Sequence, residues 1–215
     1  MANPVDPVLS HHTSQERQPA AVPELRNDRP HQSPKIVLNR LKPHVEKIIA
    51  EEQTGFRAER STTEQIFNLR ILCDKYFQHQ QDLYHAIIDF KKAFDRIWHA
   101  ALWANMKKHN ISTNLIRVIK NLYDKATSAV LFNSSIGDWF RTTDGVRQGC
   151  LLSPTLFNLF LERIMTDALE DHEGTVSIWG RTITNVRFAD DIEGLAGDEE
   201  EQHQRKPYPS HQKPL

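Results

Sequence analysis

The stretch Thr182-Ile183-Thr184-Asn185-Val186-Arg187-Phe188-Ala189-Asp190-Asp191-Ile192-Glu193-Gly194-Leu195-Ala196 reads as two β-prone runs on either side of a pair of acids. Runs rich in β-branched and aromatic residues predict strands, so Thr182–Ala189 and Ile192–Ala196 are expected to form a hairpin with Asp190 and Asp191 at or near its turn. An Asp-Asp pair in a turn is by itself ordinary turn chemistry. The apolar flanks change its context, because they put the pair on a buried sheet.

Working outward, Leu83-Tyr84-His85-Ala86-Ile87-Ile88-Asp89 is a second short β-rich run, and it ends in a carboxylate. Two helical segments follow, at about 97–109 and 113–124. The second opens on Ser112 as N-cap and carries the stripe Leu115, Ile116, Ile119, Leu122. Thr127–Asn133 and Gly137–Thr142 alternate as strands around a turn at Ser134-Ser135-Ile136-Gly137. Ser153-Pro154 starts a helix that runs to about Leu169, with serine as N-cap and proline at the first helical position. Upstream, Ser61-Thr62-Thr63-Glu64 is a capping box, and Ile66, Leu69, Leu72, Cys73 and Tyr76 continue behind it as an apolar stripe. Ile36-Val37, Leu41, Val45 and Ile48-Ile49 also recur at helical spacing, with Pro43 expected to break or kink that helix. Antiparallel strands interleaved with helices predict an α+β fold.

The 215 residues allow one domain with ragged ends. Residues 1–34 hold six of the eleven prolines and no periodic apolar pattern, and residues 202–215 are equally polar and proline-rich. Both segments are expected to be disordered, leaving 35–201 as the folded part. No run approaches the roughly 18–20 apolar residues of a membrane span, and no apolar run follows a basic patch as in a signal peptide. Cys73 and Cys150 are too few and too far apart for a disulfide framework, which fits a reducing compartment. No histidine pairs with a cysteine at zinc-ligand spacing. The net charge of −1 conceals a division. From Lys35 to Arg147 there are 18 lysines and arginines against 12 acids, and from Gln148 to Glu201 there are 3 against 12. That suits cations for a phosphate backbone followed by carboxylates for metal ions, and it suits solvated helix faces as well.

Nucleotidyl transfer through two divalent ions about 3.5–4 Å apart needs two or three aspartates on rigid elements, brought together from distant parts of the chain. Asp89 at a strand end and Asp190-Asp191 at a hairpin tip are such a set. Three further blocks lie in order: Glu52-Gln53-Thr54-Gly55-Phe56-Arg57-Ala58-Glu59-Arg60-Ser61-Thr62-Thr63-Glu64-Gln65-Ile66, then Ile88-Asp89-Phe90-Lys91-Lys92-Ala93-Phe94-Asp95, then Asp144-Gly145-Val146-Arg147-Gln148-Gly149-Cys150-Leu151-Leu152-Ser153-Pro154-Thr155-Leu156-Phe157-Asn158. With Arg187-Phe188-Ala189-Asp190-Asp191 they resemble the reverse transcriptases of non-LTR (LINE-type) retrotransposons, in that family's order and approximate spacing. Glu59 stands where the family often has Gly, and Phe188 where it often has Tyr.

The resemblance implies a polymerase palm, an antiparallel sheet packed on helices, with partial fingers and no thumb. It implies an RNA-directed DNA polymerase that extends a DNA primer on an RNA template with dNTPs and two Mg²⁺ ions, Mn²⁺ being an alternative. Asp89 and Asp190 would be the metal ligands, with the Phe90 carbonyl as a further one and Asp191 a supporting carboxylate. Phe94 would lie beneath the sugar and collide with a 2′-hydroxyl, or else be a core phenylalanine. Gln148 and Gly149 would line the nucleotide pocket, glycine allowing close backbone approach. Asp95 reads as structural, satisfying neighbouring backbone or Arg96. Arg57 and Arg60 would contact template phosphate or brace Glu52 or Glu64. Lys107, Lys108, Lys120 and Lys125 read as a solvated face.

The family's upstream basic segment has no counterpart in residues 1–34, and its thumb and endonuclease have none after Glu201. A chain truncated at both ends is therefore expected, marginally stable and weakly active alone. The competing readings are a catalytically inactive remnant acting as a nucleic-acid-binding scaffold, and an intron-encoded maturase. The family implies an intracellular, nuclear setting; oligomeric state is left open by the sequence.

Overall fold

A computed structural model describes residues 32–197 apart from 125, 133–134, 172–173 and 179. The expectation of disorder for residues 202–215, and for most of 1–34, lies outside the described residues.

The strands β1 (Tyr84–Ile88), β8 (Asn185–Phe188) and β9 (Asp191–Ala196) form one antiparallel sheet in the order β1-β9-β8. Ile88 pairs with Ile192, and Arg187 pairs with the same Ile192 from the other side. Paired residues share a face of the sheet. The row Ile88, Ile192, Arg187 therefore faces inward, and Ile192 joins the main core. On the opposite face Ile87 pairs with Glu193 and is 84% exposed.

The main core is built on α5 (Ser153–Leu169), ten of whose seventeen residues are buried. A helix apolar on nearly all sides belongs in the centre of a domain. Here α1 (Gln32–Val45) and α3 (His99–Lys108) pack on it, and α4 (Thr113–Asp124) packs on both of those. The helix α2 (Thr62–Gln78) lies on β8 instead, where Leu72 and Tyr76 meet Val176 and Leu195 in a smaller cluster. The N-cap half of the predicted capping box is present, with Ser61 Oγ accepting from Glu64 N–H at 3.2 Å, while the Glu64 carboxylate pairs with Arg60. Ile66, assigned to the apolar stripe, is 68% exposed; Gln65 takes the buried position at its side.

Three local expectations are corrected. The helix α1 passes through Pro43 to Val45, because the buried row Val37, Leu41, Val45 holds the last turn despite the one missing N–H. Ile48 and Ile49 lie in the turns beyond it. The first residues of α1, from Gln32, fall within the segment expected to be disordered, with Pro34 in a first turn where no N–H is required. Ser135-Ile136 is strand β4, paired with Leu131-Phe132 (β3), so the turn expected at Ser134–Gly137 does not extend to Gly137. A second short ladder, Thr127-Ser128 (β2) with Phe140-Arg141 (β5), completes this arm, while Ser177-Ile178 (β6) and Arg181-Thr182 (β7) form a small hairpin before β8.

Candidate active site

In the β8–β9 hairpin Phe188 pairs with Asp191, which leaves Ala189-Asp190 as a two-residue turn. Tight hairpin turns demand positive φ at one or both central positions. Ala189 supplies it at φ 59°. Asp190 is half-buried at the tip, and Asp191 is the exposed first residue of β9. Asp89 follows Ile88 directly, and it is exposed. Continuing the Ile88–Ile192 register by one residue sets Asp89 opposite Asp191. The topology thus brings the three predicted carboxylates to one end of the sheet. Among the described residues no three His, Cys, Asp or Glu side chains are drawn together as a metal-binding cluster. Phe90 packs against the main core, half-buried.

The turn is braced by the segment Glu52–Gly55, which runs beside β8 in a parallel bridge between Gln53 and Arg187. Arg187 N–H donates to Glu52 O at 3.0 Å, and Thr54 N–H to Arg187 O at 3.0 Å. The Gln53 carboxamide bonds both backbone groups of Ala189, donating to its carbonyl at 2.9 Å and accepting from its N–H at 2.8 Å. Gln65 Nε2 donates to Glu52 O and Arg187 O, and Asn158 Nδ2 on α5 donates to Gly55 O. The Arg187 guanidinium, 2% exposed, meets Glu162 Oε2 on α5 at 3.3 Å, and the same carboxylate oxygen accepts from Ala50 N–H. Arg57 is part of this brace. It pairs with Glu46 at 3.0 Å and donates to Ala50 O and Gln53 O, so the partner is Glu46 rather than Glu52 or Glu64. Arg60 pairs with Glu64 one helical turn on, as one of its two readings expected. Glu59 has φ 63°, a conformation that suits the glycine frequent there in the resembled family. On the rim Arg181 bonds Glu51 and Glu52, and its guanidinium holds the Glu51 carboxyl below the usual carboxylate range.

Beside the hairpin lies a cleft of about 510 Å³ lined by Phe56, Phe94, Gln148, Gly149, Leu151 and Pro154 among others. The structure thus brings Phe94, Gln148 and Gly149 together; Phe90 is not among its lining residues. Phe94 stacks flat on Phe157 of α5 at 4.6 Å and takes the edge of Phe56 at 5.8 Å. The loop carrying Gln148 is held by Gly145 N–H to Ile97 O and Val146 N–H to Phe94 O, both at 2.8 Å. Gly145 has φ 82°, and a Cβ there would meet the Asp95 carbonyl at 2.9 Å, so the packing role of Asp95 lies in its backbone. His99 bonds Gly145 O at 2.6 Å, while Ser153 Oγ donates to Arg147 O instead of capping its own helix, whose N-cap position falls to Leu152. Below this loop Tyr123 is buried with its ring edge-on to His99 and Trp103; burial pushes its phenol up to about 12, which the neighbouring Ser153 offsets only in part. Gly149 is exposed at φ 77° with open space where a Cβ would stand.

Residues 30–208 match the family described as "Reverse transcriptase (RNA-dependent DNA polymerase)". The chain belongs to that family. Among curated relatives, the probable RNA-directed DNA polymerase from transposon X-element of Drosophila melanogaster is 28% identical over 67% of this chain and 15% of its own length. The RNA-directed DNA polymerase from mobile element jockey, of the same organism, is 27% identical over 73% of this chain and 17% of its own. The chain thus spans about a sixth of these relatives' length, and the resemblance to non-LTR elements is borne out. In fold it is similar to a telomerase from Candida albicans solved with a fragment of telomeric RNA, with TM-score 0.61, 13% identity and coverage of 79% of this chain and 30% of the other. An apo telomerase from Candida tropicalis gives TM-score 0.60 at 18% identity, over 79% of this chain and 35% of the other. The expected α+β palm arrangement is borne out with it.

Sequence reasoning left Gln53, Asn158, Glu162 and Arg187 without roles. Two of them carried a signal. Asn158 and Glu162 interrupt the apolar run Leu156–Ile164, and polar side chains buried on such a helix need partners.

Proposed function

We propose that this chain is the palm core, with part of the fingers, of a non-LTR retrotransposon reverse transcriptase, extending a DNA primer on an RNA template by addition of dNTPs. The observation that carries the reading is the sheet register, which, continued by one residue, sets Asp89 opposite Asp191 at the sheet end that holds the Ala189-Asp190 turn. The donor set fits Mg²⁺ or Mn²⁺, since three hard carboxylates stand exposed or half-buried at one sheet end. Asp89 and Asp190 would hold the ions, with the Phe90 carbonyl as a further ligand and Asp191 in support. Divalent ions held there would lower the pKa of the primer 3′-hydroxyl and offset charge on the pyrophosphate leaving group. The chain's own part is positioning. Phe94, stacked on Phe157, would offer a flat surface under the deoxyribose and collide with a 2′-hydroxyl. Gln148 and Gly149 line the base and triphosphate side, where an unhindered Gly149 lets backbone approach closely.

Primer extension on an RNA template by the purified chain tests the proposal. Weak Mg²⁺- or Mn²⁺-dependent incorporation is expected, reduced at least about 10²–10³-fold in Asp190→Asn, with thermal stability nearly unchanged because the side chain sits at an accessible tip. Template binding without incorporation under any metal condition would favour the scaffold reading.

A further inference from the structure

We propose that Gln53 is a positioning residue for the candidate metal ligand Asp190, acting as a two-point template that keeps Ala189 in its left-handed conformation. The inference rests on the metal-site reading above and adds to it a residue that never touches metal or nucleotide.

Ala189 occupies the first place of a two-residue turn, at φ 59°, where glycine is the usual occupant. An L residue holds that conformation only when its surroundings over-determine it. Here both backbone groups of Ala189 are captured by one side chain that is itself 1% exposed. Backbone pairing between Glu52–Thr54 and β8 stops at Arg187. The Gln53 carboxamide, which like a peptide unit carries one carbonyl oxygen and an N–H donor, extends that pairing two residues further into the turn. Its Oε1 also accepts from Gly55 N–H at 2.8 Å, which fixes the amide plane. Gly55 makes the approach possible, since a Cβ on it would stand 2.1 Å from Ala189 N. The conformation of residue 189 sets the direction in which residue 190 leaves the sheet, so the clamp decides where the Asp190 carboxylate points. Glutamate at 53 would keep an acceptor, lose the donor, and oppose the Ala189 carbonyl with a second oxygen.

The test is Mn²⁺ titration of the full chain, followed by the electron paramagnetic resonance of free Mn²⁺, alongside thermal unfolding. Asp190→Asn should abolish the tightest binding. Gln53→Glu should weaken it by about 10–100-fold, the range found when groups that orient metal ligands are removed. Adding Ala189→Gly, which adopts positive φ without strain, should restore affinity to within a few fold of the parent. If Gln53→Glu fails to fold, Gln53→Met with and without Ala189→Gly replaces it, and failure of these to fold as well would make Gln53 a packing residue and overturn the inference. Unchanged Mn²⁺ affinity in folded Gln53→Glu, with Asp190→Asn still defective, overturns the inference alone, as does loss that Ala189→Gly leaves unrepaired. No effect of Asp190→Asn overturns the metal-site reading itself.

Discussion

Around Ala189 the backbone is held by buried polar side chains that each bond a distant part of the chain, Gln53, Gln65, Asn158 and the Arg187–Glu162 pair, with Asn158 Oδ1 and Arg187 Nε left without a partner among the described residues. Around Phe94 the chain presents aromatic and apolar surface and an open glycine to solvent. The first region is built to hold one geometry, because breaking any of these bonds would strand a further buried donor or acceptor, which is costly. The second is built to admit something flat, because stacked rings give a firm floor without using up hydrogen-bonding groups. The proposed site, which would place carboxylates and receive a nucleotide, calls for both.

The sharpest way to break this contrast is Arg187→Ala. It strands the Glu162 carboxylate in the core, and a loss of about 3–5 kcal/mol in urea unfolding is expected; a loss under about 1 kcal/mol would mean the braced region is not rigid. Next comes pH. Tyr123 lies under the loop that forms the cleft, and burial raises its phenol to about 12 against an ordinary value of about 10. Below about pH 10 folded and unfolded states are alike in proton content. Between about 10 and 12 the unfolded chain releases a proton that the folded one keeps, so stability falls as pH rises, by at most about 3 kcal/mol. Tyr123→Phe should flatten that part of the alkaline unfolding curve. On the cleft side, Phe94→Val should leave incorporation of dNTP measurable while narrowing discrimination against NTP by roughly 10-fold or more, read from competing single-nucleotide additions. The smallest effect is expected furthest from both regions: Ser61→Ala removes the α2 cap for about 1 kcal/mol, seen as a small shift in melting temperature with Mn²⁺ affinity unchanged.

The elements themselves were largely legible. Apolar spacing marked α4 and the interior of α5 correctly because those helices bury one stripe or nearly everything, and either pattern survives in one dimension. The Ser61 N-cap and the strand before Asp89 were legible for the same reason, being local. Pro43 misled because its local penalty was outweighed by burial of Leu41 and Val45 from across the core. Arg57 was visible as a cation within a motif, but its partner Glu46 lies on the far side of a chain reversal that no spacing rule encodes. Gln53 was legible only as a letter in a block. Its bonds to Ala189 span 136 residues.

Sequence alone determined the family resemblance, the α+β order of elements, and which residues carry oxygen ligands and aromatic rings, because these depend on side-chain identity and on periodicities of two and 3.6 along the chain. The tertiary structure alone decided that Asp89 and the Asp190 turn share a sheet end, that Phe94 rests on Phe157, and that the turn is shaped by Gln53 and Gly55. Those facts depend on sheet register and on close approach between segments far apart in sequence, and register is fixed by which face of each strand the assembled core will bury.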